Sequence, residues 1–256
     1  MLKSLKLFRI FVFALIAALS VVVVKYFLHA FNFELIEQSS LHNGVLSSVT
    51  FVLGFLLSAT ISDYKESERI PADFAAQVED MYDDAVMIHQ NYPVFDLDSF
   101  RKQLRKVTLG FGKDVRKRSY NARADIRGLG PYFAEMEKGK VPPNFIVKLK
   151  QQQTVMLRHR HRVNYIQRIK FIPSATILAR SIVIMTVALL LVTNVDPFYG
   201  GLAICGIITF VLVYMLILIN VISLPFHQAG TTRDDVSLFL IEDALKYLSD
   251  EKQLRE

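Results

Sequence analysis

The chain carries a single cysteine, Cys205, in 256 residues. One thiol excludes a disulfide framework or a cysteine-based metal site within one chain, and its place inside an apolar run argues against a reactive thiol. The usual strings of catalysis are missing too: there is no His-Glu-x-x-His, no Walker loop and no nucleophile elbow. His29, His42, His89 and His227 are scattered, and none stands beside a Ser, Cys or acid in a nucleophile pattern. Gly128-Leu129-Gly130-Pro131 marks a turn and not a phosphate loop, because no strand precedes it and no Gly-Lys-Ser/Thr follows. No segment alternates with period two between hairpin turns. These absences point away from an enzyme, and they imply no cofactor. Basic charge is also missing from two short stretches, 29–44 and 193–200, which hold neither Lys nor Arg.

What is present is hydrocarbon. The composition is 52% hydrophobic and the mean hydropathy is +0.31. The apolar residues gather in four blocks, roughly 7–28, 46–62, 175–195 and 201–224, each about long enough to cross a bilayer. The first block also reads as a signal peptide, with Lys3, Lys6 and Arg9 as its basic start; its length, and the lack of a small-x-small cleavage site after it, stand against that reading. Residues 63–174 hold 21 of the 30 Lys and Arg residues, and the N-terminal tip holds three. The positive-inside rule then places both termini and the long segment in the cytoplasm, for an integral protein of a cell inner or plasma membrane. Lys25 is expected to snorkel to the outer interface and Arg180 to the inner one.

The expected fold class is all-α: four transmembrane helices with a helical cytoplasmic region. It divides into a first helix pair (1–62), the cytoplasmic region (63–174), a second pair (175–225) and a tail with an amphipathic helix (226–256). Within the cytoplasmic region Pro71 permits a kink or a fresh helix start, and Phe74, Val78, Met81, Ala85 and Ile88 then recur at helical spacing. Asp96 or Asp98 can cap the next helix, through Phe100, Leu104 and Val107. Pro142-Pro143 starts a long helix over 144–171. In the tail, Thr231 and Thr232 with Asp234 and Asp235 offer a capping-box-like start to a helix with Val236, Leu240, Ala244 and Leu248 on one face and Phe239 beside them.

Charge in the cytoplasmic region is split by position. Residues 63–100 have ten acids against two bases, and 101–174 have nineteen bases against four acids. Acidic and basic helices packed side by side neutralise much of this. The positive surplus can lie against anionic lipid or concentrate anions near a vestibule. Arg158, Arg160 and Arg162 form its densest knot, a candidate basic patch. Nucleic acid is a poor partner for that knot, since no stacking aromatics are interleaved. Metal binding by His159 and His161 is poorer still, because residues two apart on a helix diverge and three arginines repel a cation. Asn220, an amide inside the last span, is expected to bond across to another helix.

One apolar block carries a pattern of its own. Steps of four, four, three and four residues bring Ser47, Phe51, Phe55, Ser58 and Ser62 onto one face of a helix, while Val49, Leu53, Leu56 and Leu57 fill the other. In the structural reading the serines bond back to their own helix, the Phe pair packs on a neighbour, and the four spans bury the stripe in an ordinary bundle. In the functional reading the stripe faces a symmetry axis and lines a narrow pore.

The string Phe51-Val52-Leu53-Gly54-Phe55, with Tyr64 to Arg69 and Ile70-Pro71 after it, resembles the second transmembrane segment of the bestrophin anion channels. Leu224-Pro225-Phe226 is similar to the Asp/Asn-Pro-Phe that follows their last membrane helix. The sequence departs from that family where its Arg-Trp-Trp reads Asp63-Tyr64-Lys65, and the chain has no Trp. The resemblance extends to the wider set of bestrophin-like membrane proteins. It implies a homo-oligomer, a pentamer, in which five copies of this helix form a hydrophobic neck, with Phe51 and Phe55 as neck residues and Gly54 permitting close helix approach. It implies chloride or another anion as the permeant species and membrane lipid as a partner. The family's acidic calcium clasp would fall near Asp234 and Asp235, the only metal candidates; two carboxylates supply too few oxygens for calcium, and helix capping suits them better. A reading from a different class is a non-conducting scaffold or regulator that binds a protein or anionic lipid through the basic helices.

Overall fold

A computed structural model describes residues 9–117, 122–168, 173–226 and 236–249. The described chain is helical apart from two short strands. In order it runs α1 (Arg9–Ala30), β1 (Ile36–Glu37), α2 (Ser40–Asn91), α3 (Leu97–Lys117), α4 (Ala122–Arg127), α5 (Gly130–Lys138), α6 (Pro143–Arg168), α7 (Pro173–Val192), β2 (Thr193–Asn194), α8 (Phe198–Ile222) and α9 (Phe239–Tyr247). Among the described residues four helices are long and apolar enough to cross a membrane: α1, α2, α8 and, in α7, Ser174–Val192. The chain is a polytopic membrane protein.

It divides into two compact units, which part within α2 between Tyr64 and Lys65. The first unit holds α1, the start of α2, α7 and α8. Here α1 packs chiefly on α8, and small side chains make this possible. Ala14 and Ala18 are buried on α1, and a Cβ added to Gly206 would come within 2.9 Å of Val22 Cγ2. Close backbone approach of this kind holds helices together where lipid removes the hydrophobic drive. Phe11 and Phe210 meet edge to face at 5.3 Å on the same seam. A second cluster joins Val49 and Leu53 of α2 to Ala179 and Val183 of α7 and Leu212 and Ile219 of α8.

The two connections that lack basic charge are tied to each other. β1 and β2 pair in parallel, Ile36 with Thr193 and Glu37 with Asn194. This two-residue ladder is strand where only helix and loop were expected; it satisfies backbone groups at the ends of the spans. Helix α1 stops there with Asn32 in the left-handed region at φ 54°, a conformation asparagine tolerates.

The second unit holds α2 from Lys65 on, α3 to α6 and α9. Its core contains Phe74, Val78, Met81, Ala85 and Ile88 of α2 with Phe100, Leu104, Val107 and Phe111 of α3. The Phe74 and Phe111 rings stack at 3.7 Å. Pro71 neither ends nor restarts a helix, and α2 runs through it for 52 residues. A proline there removes one bond to the Ser67 carbonyl, but Ile70, Phe74 and Ala75 are all buried around it, and that packing holds the turn. Asp96 caps α3: its Oδ1 accepts from the Asp98 and Ser99 amides at 3.0 and 3.2 Å and its Oδ2 from the Ser99 hydroxyl at 2.5 Å, and the hydroxyl first, with the amides, holds its carboxyl below the usual range. Helix α6 starts at Pro143 as expected. In α9 the buried face is Ile241, Ala244 and Leu248, while Leu240 and Phe239 are exposed. Val236 precedes the helix, so it does not set the helix's face.

Amide side chains finish the helix ends of this unit. Gln167 Nε2 donates to the Asp114 and Val115 carbonyls at 3.0 and 2.9 Å. Gln103 and Gln153 donate to the Asp125 and Ile126 carbonyls, at 2.6 and 2.7 Å. Carbonyls in the last turn of a helix lack an intrahelical partner, and these three glutamines bring donors to them, at Asp125 and Ile126 beside the Gly128 and Leu129 amides.

Candidate functional site: the exposed stripe of the second span

Helix α2 presents opposite faces to opposite surroundings. Val49 and Leu53 point into the first unit, at 8% and 0% exposure, and Leu56 and Leu57 pack beside them. Phe51 and Phe55 point away, at 76% and 68% exposure, and Ser47, Ser58 and Ser62 are exposed with them. All five stripe residues thus lie together on one uncovered face. Among the described residues the hydroxyls of this span that bond back to the helix include Ser48 to Gly44, Thr50 to Leu46 and Thr60 to Leu56, at 2.7 to 2.9 Å. A Cβ on Gly54 would meet nothing within 4 Å, so the close approach assigned to this glycine does not occur within one chain. Asn220 is exposed and its side chain makes no hydrogen bond to another helix among the described residues; its carbonyl accepts from the Ser223 hydroxyl at 2.9 Å.

The basic knot of α6 does not form one surface. Arg160 is 6% exposed, with its Nε 3.4 Å from Asp114 Oδ2. Arg158 and Arg162 are exposed, and Arg162 binds Glu66 in fork geometry at 3.0 and 2.9 Å. Residues two apart on a helix lie about 200° apart around its axis, which is why Arg160 turns inward where Arg158 and Arg162 turn outward. Burial pushes the Asp114 carboxyl up, and the Arg160 guanidinium only partly offsets that. Burial also holds His159 below the ordinary histidine value, with Arg158 adding to it against Asp73. Among the described residues no group of three or more His, Cys, Asp or Glu side chains is placed to hold a metal. Asp234 and Asp235 lie outside the described residues.

Lys25 is 1% exposed, held by groups at and just beyond the ends of the spans. Its Nζ pairs with Glu34 Oε1 at 2.5 Å and donates to the Leu191 carbonyl at 3.2 Å and to the Thr193 carbonyl. His29 Nδ1 meets the other Glu34 oxygen at 2.7 Å, and its ring stacks on Phe198 at 3.7 Å. Glu34 comes from the connection after α1, nine residues beyond Lys25, and no helical spacing announces such a contact. The one available signal is that Glu34 and Glu37 are the only charged residues in a connection without Lys or Arg.

No family model matches the sequence, and no curated protein matches it. Solved structures do. A bacterial bestrophin homolog from Klebsiella pneumoniae, as a point variant, superposes with a TM-score of 0.78 at 13% identity, over 94% of this chain and 97% of that one. The chain has the bestrophin fold. Another variant of that homolog gives 0.75 at 13% identity over 95% and 97% of the two chains, and a variant membrane protein gives 0.78 at 14% over 96% and 98%. At such identities the likeness establishes the bestrophin fold, and what the chain does has to be argued from its own residues.

Proposed function

We propose that this chain is one subunit of an anion channel in which the exposed stripe of α2 lines the conduit. The observation that carries the reading is the stripe itself: two phenylalanines and three serines share a face that the rest of the chain leaves uncovered, on a helix whose other face is packed. A lone four-span chain has too few helices to enclose a polar path. A closed ring of identical subunits, a pentamer as in bestrophins, sets the stripe of every copy on a shared axis, where water reaches the serines and the phenyl groups narrow the middle. The positive edges of a phenyl ring tolerate a passing anion, and a dry constriction restrains its flow. Gly54, open within one chain, leaves room for a neighbouring copy of the helix. The bestrophin fold supports the reading, since bestrophins are anion channels.

The orientation that goes with it has both termini and the helical region 63–174 in the cytoplasm, because that region carries 21 of 30 basic residues. Chloride is the permeant ion to try first. A scaffold that grips partners through a contiguous basic patch fits less well, since Arg160 is buried on the face of α6 opposite Arg158 and Arg162. The test is chloride efflux from liposomes carrying the purified protein, with the subunit number read by native mass spectrometry. Efflux from a pentamer supports the channel; a monomer without efflux removes it.

A further inference from the structure

Beyond Arg9 at the start of α1, two cations lie within the spans of the first unit, Lys25 and Arg180. Lys25 is buried with a counter-ion from its own chain, Glu34. Arg180 is exposed, and among the described residues it has no hydrogen-bond or ion-pair partner. A guanidinium left unpaired at membrane depth is costly, so its counter-ion has to come from outside the chain. The place of Arg180 in α7 decides which anion is within reach. The span runs from Ser174 to Val192, and the Arg180 Cα lies about 9 Å along the axis from Ser174. Side chains on a helix lean toward its N-terminus, so the Arg180 stem runs back toward the Ser174 end and the depth of the headgroups. Ile177 and Ile184, one turn to either side on the same face, are 65% and 68% exposed, which leaves the arginine flanked by bare hydrocarbon. Carboxylates are scarce at that end. Among the described residues of the first unit the acids are Glu34, Glu37, Asp63 and Asp196. Glu34, Glu37 and Asp196 belong to the opposite end, where β1 pairs with β2, and Asp63 already has a partner within its own chain.

We propose that Arg180 holds the phosphate of an anionic membrane phospholipid, whose hydrocarbon lies along Ile177 and Ile184. The planar guanidinium donates two N–H groups to two phosphate oxygens, and the apolar face beside it takes the acyl chain that a free phosphate lacks. Arg9, exposed at the same end of the unit, adds to the positive field, so a net negative headgroup is favoured over a zwitterionic one that brings its own ammonium. The site needs no channel activity and stands apart from the stripe of α2.

The test uses the full chain in lipid nanodiscs, with two probes that carry the same diazirine on the same acyl chain: a phosphatidylglycerol and a phosphatidylcholine. After irradiation, mass spectrometry maps the labelled residues. The phosphatidylglycerol probe should label Ile177 or Ile184 in preference to the phosphatidylcholine probe, and excess unlabelled phosphatidylglycerol should remove the label where inorganic phosphate at the same concentration does not. Arg180→Gln should lower capture at these positions about fivefold, the fold-change of one basic residue at an anionic bilayer, and Arg180→Lys, which keeps the charge, should retain most of it. Arg158→Gln removes the same charge from an exposed residue outside the spans and should leave capture unchanged. Equal labelling by the two probes, equal competition by inorganic phosphate, or undiminished capture in Arg180→Gln would overturn the proposal. A changed subunit number in Arg180→Gln with capture intact would overturn it too, by assigning the arginine to a contact between copies. The two-probe comparison and the competition use the unaltered protein, so they decide the matter even if a variant fails to assemble.

Discussion

Lys25 Nζ and Glu34 Oε1 lie 2.5 Å apart, with 2% and 6% of their side chains exposed. Removing one member of such a pair leaves the other buried and uncompensated, at a cost of about 3–5 kcal/mol, whereas replacing both with neutral groups of similar size is far milder. Lys25→Met is therefore expected to lower stability by about 3–5 kcal/mol, and Lys25→Met with Glu34→Gln to recover most of that loss. Denaturant unfolding of the three proteins in one detergent checks it. A double variant no better than the single one would show that the two residues are not coupled.

The four spans were legible because long uncharged runs have few other uses, and the stripe of α2 because helical spacing alone puts Ser47, Phe51, Phe55, Ser58 and Ser62 on one face. What escaped were contacts between residues that no period relates. Glu34 reaches Lys25 across a turn, and Gln167 caps the end of α3 from α6. Pro71 read as a kink or a fresh helix start because propensity is local, while the packing of Ile70, Phe74 and Ala75 that carries the helix through it is not. Arg160 was grouped with Arg158 and Arg162 by density of charge along the chain, although their angular spacing already separated them.

The arginines of α6 give a graded expectation. Arg160→Met strands the buried Asp114 carboxylate and should cost about 3–5 kcal/mol. Arg162→Gln breaks an exposed pair with Glu66 and should cost under about 1 kcal/mol. Arg158→Gln should change stability by no more than about 0.5 kcal/mol. Thermal and denaturant unfolding of the three variants measure the order, and a loss in Arg158→Gln as large as in Arg160→Met would contradict the assigned burial.

Glu79 sets a pH dependence. Burial first, then Asp83 and Asp243, push its carboxyl above the usual range, and Tyr247, raised by burial and by its bond to Asp83, stands in the same cluster. An acid whose pKa is higher in the folded state contributes stability that is full below its unfolded value and is lost as pH rises through the folded one. Glu79→Gln should thus match the unaltered protein below the ordinary glutamate range and exceed it in stability above. Unfolding midpoints of both proteins across mildly acidic to neutral pH read the difference. A constant gap between them at every pH would refute the assignment.

The neck assignment predicts a gain on truncation. Replacing Phe51 and Phe55 together by Ala removes the rings that narrow the proposed conduit, and chloride efflux from liposomes should rise severalfold with the assembly intact. Efflux unchanged in an assembly of unaltered mass would place the constriction elsewhere.

The central claim is that the exposed stripe of α2 faces a shared aqueous axis. Ser47→Cys, Phe51→Cys, Phe55→Cys and Ser58→Cys, each in a Cys205→Ala background, test it through reaction with a small charged thiol reagent during chloride efflux. The account predicts modification at positions 47 and 58, block of efflux by the attached group, and crosslinks between subunits near the axis. Protection at all four positions, with a monomeric mass by native mass spectrometry, would contradict it.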